Sequence, residues 1–153
     1  MFIVYHCVGG THSSAIAAGI HLNMLPIDSK PSYKDIKEFP FFDTLTKENQ
    51  GKIILRGKDS QGNKVFTLSR QFVPQLVIPA VKDSFILGGG DLNNLLLVDT
   101  MSAVNTLMKI GGFSSRRLNL VSLGRPIVTK GTLQAYNDII KIVKETKGKL
   151  INY

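Results

Sequence analysis

Tryptophan is absent from this chain, and cysteine occurs once, at Cys7. A single cysteine forms no intramolecular disulfide and no four-cysteine zinc site, which fits a reducing, cytoplasmic setting. Aromatic residues make up only 8% of the sequence. No aromatic run and no Gly-x-x-Gly clamp offers a platform on which nucleobases stack. No apolar stretch approaches the ~18–20 residues that span a bilayer. Met1-Phe2-Ile3-Val4-Tyr5 carries no basic segment and no cleavage site, so neither a signal peptide nor a membrane partner is expected. The three histidines show no His-x-His, His-x-x-x-His or HExxH spacing, and no metal site of that kind is expected.

What is present describes a globular protein. The chain has 153 residues, 43% of them hydrophobic, enough for one domain over 1–153 with a substantial core. Its formal charge is +8, and the excess is uneven. From Lys109 onward there are nine basic residues against Asp138 and Glu145. Such a block fits an anionic partner: a nucleotide, a small phosphorylated ligand or RNA. The plainer explanation for Lys141 to Lys149 is a solvated helix face.

Phe2-Ile3-Val4-Tyr5 reads as a buried strand stopped by Gly9-Gly10. Ser13-Ser14 offer cap hydroxyls to a small-residue helix over 15–22. A short helix is expected around Tyr33 to Phe39. Residues 53–56 and 65–68 flank a turn-rich stretch and predict a β-hairpin. A helix is expected over 73–85, despite Pro74 and Pro79. Leu95-Leu96-Leu97-Val98 suits a central parallel strand. Ser102 would cap a helix over 103–110 that Gly111-Gly112 ends. Pro126-Ile127-Val128-Thr129 reads as a last strand, turning through Lys130-Gly131-Thr132 into a final helix with a Leu133, Tyr136, Ile140, Val143 core stripe. The expected fold is α/β: a mostly parallel sheet in three layers, a hairpin added at its edge, and a P-loop-like strand–loop–helix at the amino terminus.

In parallel sheets, ligands bind beyond the carboxyl ends of the strands. His6-Cys7, Asp99-Thr100 and Thr129-Lys130 are therefore expected to share one edge. Gly9, Gly10, Thr11, Ser13 and Ser14 supply amides and hydroxyls at a helix start, where the helix dipole favours an anion. A phosphate loop of nucleotide hydrolases fits loosely, because His12 stands where lysine belongs. A cysteine-phosphatase loop would use Cys7 but needs an arginine where Ser13 stands, so Cys7 reads as a small buried hydrophobe. His12 is the candidate acid/base, and His6 would orient the loop. His21 reads as a surface or packing residue. Asp99 is either the second catalytic group, a carboxylate of the kind that holds magnesium, or a helix cap. Arg116 and Arg117 form the candidate phosphate clamp, with Lys130 behind a second helix start. Arg125 is a weaker candidate.

Gly-Gly-Thr-His-Ser-Ser, Leu-Leu-Leu-Val-Asp-Thr-Met, Gly-Gly-Phe-Ser-Ser-Arg-Arg-Leu and Gly-Arg-Pro-Ile-Val-Thr-Lys-Gly-Thr together resemble an uncharacterised bacterial domain-of-unknown-function family, found mainly in Gram-positive spore-formers. The resemblance runs over nearly the whole chain. It implies a small cytosolic protein and assigns no catalytic residue. The function expected from the residues is binding of a phosphate or nucleotide, with phosphoryl transfer or hydrolysis as the chemistry if it is an enzyme. The alternatives are an RNA-binding accessory protein and a regulatory partner with a vestigial pocket.

Overall fold

The computed structural model describes residues 1–118 and 120–151. Strand β1 (Phe2–Cys7) leads through the Gly9-Gly10 loop into helix α1 (Ser13–His21), followed by α2 (Tyr33–Glu38). Strands β2 (Ile53–Lys58) and β3 (Lys64–Ser69) come next, then α3 (Pro74–Leu87), β4 (Leu95–Asp99), α4 (Thr106–Gly112) and α5 (Val121–Ile151). Together they make an α/β fold with one open, four-stranded sheet in the order β2-β3-β1-β4.

The sheet is mixed, where a mostly parallel one was expected. Strand β1 runs parallel to β3 and to β4, while β2 pairs antiparallel with β3. The 53–68 hairpin is real, but its second strand is an interior strand bonded to β1 and not an addition at the rim. The Leu-rich β4 is parallel, as expected, yet it lies at an edge and not in the centre.

Side-chain alternation sorts the two faces. Ile3 and Tyr5 of β1 and their register partners Val65 and Thr67 of β3 are all fully buried on the face that packs against α1 and α5. Phe2 and Val4 point the other way, toward α3. That second face is covered loosely: Phe85 meets Phe2 edge-on at 5.3 Å. A cleft of about 590 Å³ remains between α3 and the strands, and no residue of α3 is buried.

The largest departure lies at residues 126–129. The β-branched run after Pro126 forms no strand; it sits inside α5, a helix of 31 residues. Gly124, Val128, Thr132, Ala135, Ile139, Val143 and Thr146 fall three or four residues apart, and all are buried, so the helical stripe starts upstream of the proline. Thr129 donates to the Arg125 carbonyl one turn back (2.7 Å), which satisfies its hydroxyl within the helix. Tertiary packing of that stripe outweighs local β propensity. Of the expected core residues, Tyr136 and Val143 are fully buried and Leu133 and Ile140 only partly.

Helix α4 also starts later than expected, at Thr106, and Asn105 caps it by accepting from the Met108 amide. Ser102 lies in a short 3₁₀ turn over Met101–Ala103. The α-helix does end at Gly112, but without a left-handed glycine cap: Phe113 keeps helical angles and the chain runs on into a π-helical turn over Phe113–Arg117. The glycines serve proximity: a Cβ on Gly111 would overlap the backbone of Val128, and one on Gly124 the backbone of Ser115. Helices α4 and α5 cross there backbone to backbone.

Candidate functional site

The three parallel strands end in register, with Cys7 beside Ser69 and His6 beside Asp99. The loop after β1 therefore rises between Arg70 and Thr100. It is tied down through its carbonyls. Cys7 O accepts from the Arg70 amide (3.1 Å), Val8 O from the Gln71 amide (3.0 Å), and Thr11 O from the Asp43 amide (2.9 Å). Gly10 has φ +68°, and a Cβ there would stand 2.7 Å from the Ser69 nitrogen, so this turn admits only glycine.

Gly10 N donates to Cys7 Sγ at 3.1 Å. Among the described residues, the amides of Gly9, Thr11, His12, Ser13 and Ser14 reach no protein acceptor. The serines do not cap the helix as expected. His12 occupies the N-cap position and its side chain caps nothing. Ser13 Oγ lies 2.8 Å from Thr100 Oγ1, and Ser14 Oγ 3.2 Å from Cys7 Sγ. Thr11, Ser13 and Ser14 are all buried. Buried amides without partners are costly, and a helix start left this way favours an anion.

His12 is fixed by Asp43, a residue outside the expected site. Its Nε2 lies 2.9 Å from Oδ1 of Asp43, whose side chain is fully buried. The same carboxylate accepts from Ser115 Oγ (2.7 Å) and from Arg116 Nη2 (3.2 Å), and Arg116 Nε stands 2.7 Å from its Oδ1 in an ion pair. Burial alone would raise the Asp43 carboxyl, but hydrogen bonds from His12 and Ser115, with the charges of His12 and Arg116, hold it below the ordinary carboxylate range. Asp43 also has φ +55°, a left-handed conformation uncommon outside glycine. Thus residues from the loop, the 39–45 segment and the π turn meet at one carboxylate.

A second cluster lies on the other side of the strand ends. Arg70 Nε donates to His6 Nδ1 (3.2 Å) and Nη2 to Asp99 Oδ2 (3.2 Å). Arginine only donates, so Nδ1 of His6 is an acceptor and the ring is neutral. Burial, with the Arg70 charge, lowers its pKa against the opposing pull of Asp99. Asp99 Oδ1 accepts from the Met101 amide (2.9 Å) ahead of the 3₁₀ turn, and it caps no α-helix, since α4 starts at Thr106 under Asn105. Its side chain remains half exposed.

His21 is a packing residue. It is fully buried, with Nδ1 2.7 Å from the Tyr5 hydroxyl and Nε2 3.2 Å from Asp59. Burial lowers its pKa although Asp59 opposes the shift. His6 and His21 therefore make stability depend on pH. A base whose folded pKa is depressed binds its proton more readily in the unfolded chain, so stability falls as pH drops below about 6.5. The unfolding free energy from urea titrations should decline between pH 7.5 and 5, by up to ~1.4 kcal/mol per pH unit for each histidine. His6→Gln and His21→Gln should each flatten the slope. A flat wild-type profile across that range would contradict the assignment.

The family model described as "Protein of unknown function (DUF3189)" matches residues 2–148, a span that takes in both clusters. The chain belongs to the DUF3189 family. No curated protein and no solved structure matches it.

In this DUF3189 chain the fold brings together Gly9, Gly10, Thr11, His12, Ser13 and Ser14, and places Asp99 at the same edge. It does not bring Lys130 there. With no strand at 126–129, Lys130 stands exposed on α5, and its side chain has no hydrogen bond or ion pair among the described residues. The arginine pair is divided. Arg116 directs its donors to Asp43, Ser115 and the Leu45 carbonyl, while Arg117 is exposed and its side chain has no partner among the described residues. Arg125 bonds the Lys37 carbonyl at 2.8 Å. Four residues were given no part in the site or a lesser one: Asp43, Ser115, Arg70 and His6. Arg70 was legible in principle, since it follows directly on an apolar strand. The DUF3189 site lacks any grouping of three or more His, Cys, Asp or Glu able to hold a metal among the described residues.

Proposed function

We propose that the Gly9–Ser14 loop binds the phosphate of a small phosphorylated ligand or nucleotide, as a P-loop-like strand–loop–helix. One observation carries this reading: the Cys7, Val8 and Thr11 carbonyls are bonded to neighbouring segments, while five amides of the loop, at a helix start whose N-cap side chain caps nothing, have no protein acceptor among the described residues. The topology supports it. The chain leaves β1 toward β3 on one side and later toward β4 on the other, and ligands settle at such switch points beyond the strand ends. Thr11, Ser13 and Ser14 hydroxyls are engaged within the protein, so recognition here would rest on backbone amides and the dipole of α1.

If a reaction follows binding, His12 is the group placed to move a proton. Asp43 holds its Nε2, which leaves Nδ1 as the free nitrogen, as a carboxylate orients an acid/base imidazole. Asp99, bonded to Arg70, is a charge at the rim and not a partner of His12. An RNA-binding reading has less support, because the α5 lysines share their exposed face with Asp138 and Glu145.

Thermal shift tests the proposal. A ligand at one hundred times its Kd stabilises by ~2.7 kcal/mol, or roughly 5–10 °C in a domain of this size. Inorganic phosphate, sugar phosphates and nucleotides should include at least one that gives a saturable rise, absent with chloride at equal ionic strength. A set of anions that leaves the melting temperature unmoved would remove the reading.

A further inference from the structure

The turn between α4 and α5 exposes more apolar surface than a solvated loop requires. Ile110, Phe113, Leu118, Leu120 and Leu123 are each 49–59% exposed, all within fourteen residues of chain. The surrounding sequence has no acidic residue from Thr100 to Asn137, yet it holds five lysines and arginines. Of these, Lys109, Arg117 and Lys130 are exposed and form no ion pair among the described residues. Helix α2, packed beside α5, brings Lys34 and Lys37 against Asp35 and Glu38 and leaves the balance positive.

We infer that this tip docks on an anionic lipid surface, lowering its aliphatic and phenyl side chains among the headgroups while the cations meet lipid phosphates. The charge pattern selects this occupant. A second copy of the chain would set Lys109, Arg117 and Lys130 near their own equivalents, and like charges at an interface are repulsive. Single-stranded nucleic acid calls for aromatic platforms, and the tip offers one phenyl among four aliphatic chains. An anionic bilayer answers both features, since apolar insertion and basic attraction act together at its surface. The expectation of no membrane partner rested on the lack of a spanning run. No helix among the described residues is long and apolar enough to cross a membrane, and docking from the surface requires none.

Flotation of the full chain with vesicles tests this. Phosphatidylcholine–phosphatidylglycerol vesicles at low salt should carry the protein upward, phosphatidylcholine vesicles should not, and raised salt should release it. Arg117→Ala should weaken partitioning about fivefold, the worth of one cation near such a surface. Phe113→Ser with Leu120→Ser should abolish it while leaving the melting temperature unchanged, because both side chains are exposed. The chain has no tryptophan, so Leu120→Trp supplies a single reporter whose emission should shift to the blue on phosphatidylglycerol vesicles alone. Failure to float with anionic vesicles, or flotation that survives the double substitution, would overturn the inference. So would RNA binding that Arg117→Ala weakens in a chain that ignores vesicles.

Discussion

Asp43→Ala should destabilise the protein by about 3–5 kcal/mol, the usual cost of removing one partner from a buried ion pair. The carboxylate is fully enclosed and accepts from His12, Ser115 and Arg116. Its loss strands a buried hydroxyl and a guanidinium that is only 26% exposed. In a domain of this length that corresponds to a fall in Tm on the order of 10 °C. Alanine also fits poorly at φ +55°, whereas asparagine tolerates that conformation. Asp43→Asn should therefore cost less, and the difference measures the backbone share. Arg116→Ala should be destabilising too, and the double variant should cost less than the two singles summed, since both remove one contact. Arg117→Ala should stay within about 0.5 kcal/mol, as exposed positions do. A loss under 1 kcal/mol for Asp43→Ala would mean that the carboxylate does not organise this region.

Alanine at Gly111 or Gly124 should cost about 3 kcal/mol in each case, the upper range for overpacking, because the atoms in the way are backbone and have nowhere to turn. The helices must separate along their crossing, which would also shift Ser115 and its bond to Asp43. The same substitution at Gly148, exposed in α5 with no atom of the described residues within 4 Å of the added methyl, should stabilise by roughly 0.5–1 kcal/mol. Opposite signs for one chemical change within one helix are the outcome expected in urea unfolding. Equal effects at Gly124 and Gly148 would contradict the close crossing.

These glycines illustrate what was readable in advance. Gly111-Gly112 was expected to end a helix, and that inference follows from cap chemistry alone. Proximity to another helix is a tertiary fact that leaves no local trace. The β-branched run after Pro126 misled in the same way, since its burial stripe becomes visible only when counted from Gly124. The strands were clearer. Phe2–Cys7, the hairpin and Leu95–Asp99 all announce themselves through short apolar runs bounded by turn residues. The loop was legible because glycine pairs between a strand and a helix have few other uses. Its supports were not: Asp43 comes from an irregular segment, and Arg70 from a hairpin taken for an edge addition. Lys130 was placed at the site only through the strand that does not form.

The amides of the Gly9–Ser14 loop are the proposed anion site, and their shifts in an ¹H–¹⁵N spectrum report on it directly. Titration of the ¹⁵N-labelled chain with inorganic phosphate should move Gly9, Thr11, His12, Ser13 and Ser14 together, downfield and to saturation, while Gly10, bonded to Cys7 Sγ, moves less. Residues of α3 should stay still. Shifts that never saturate, or that gather on the lysines of α5 and leave the loop unmoved, would contradict the account.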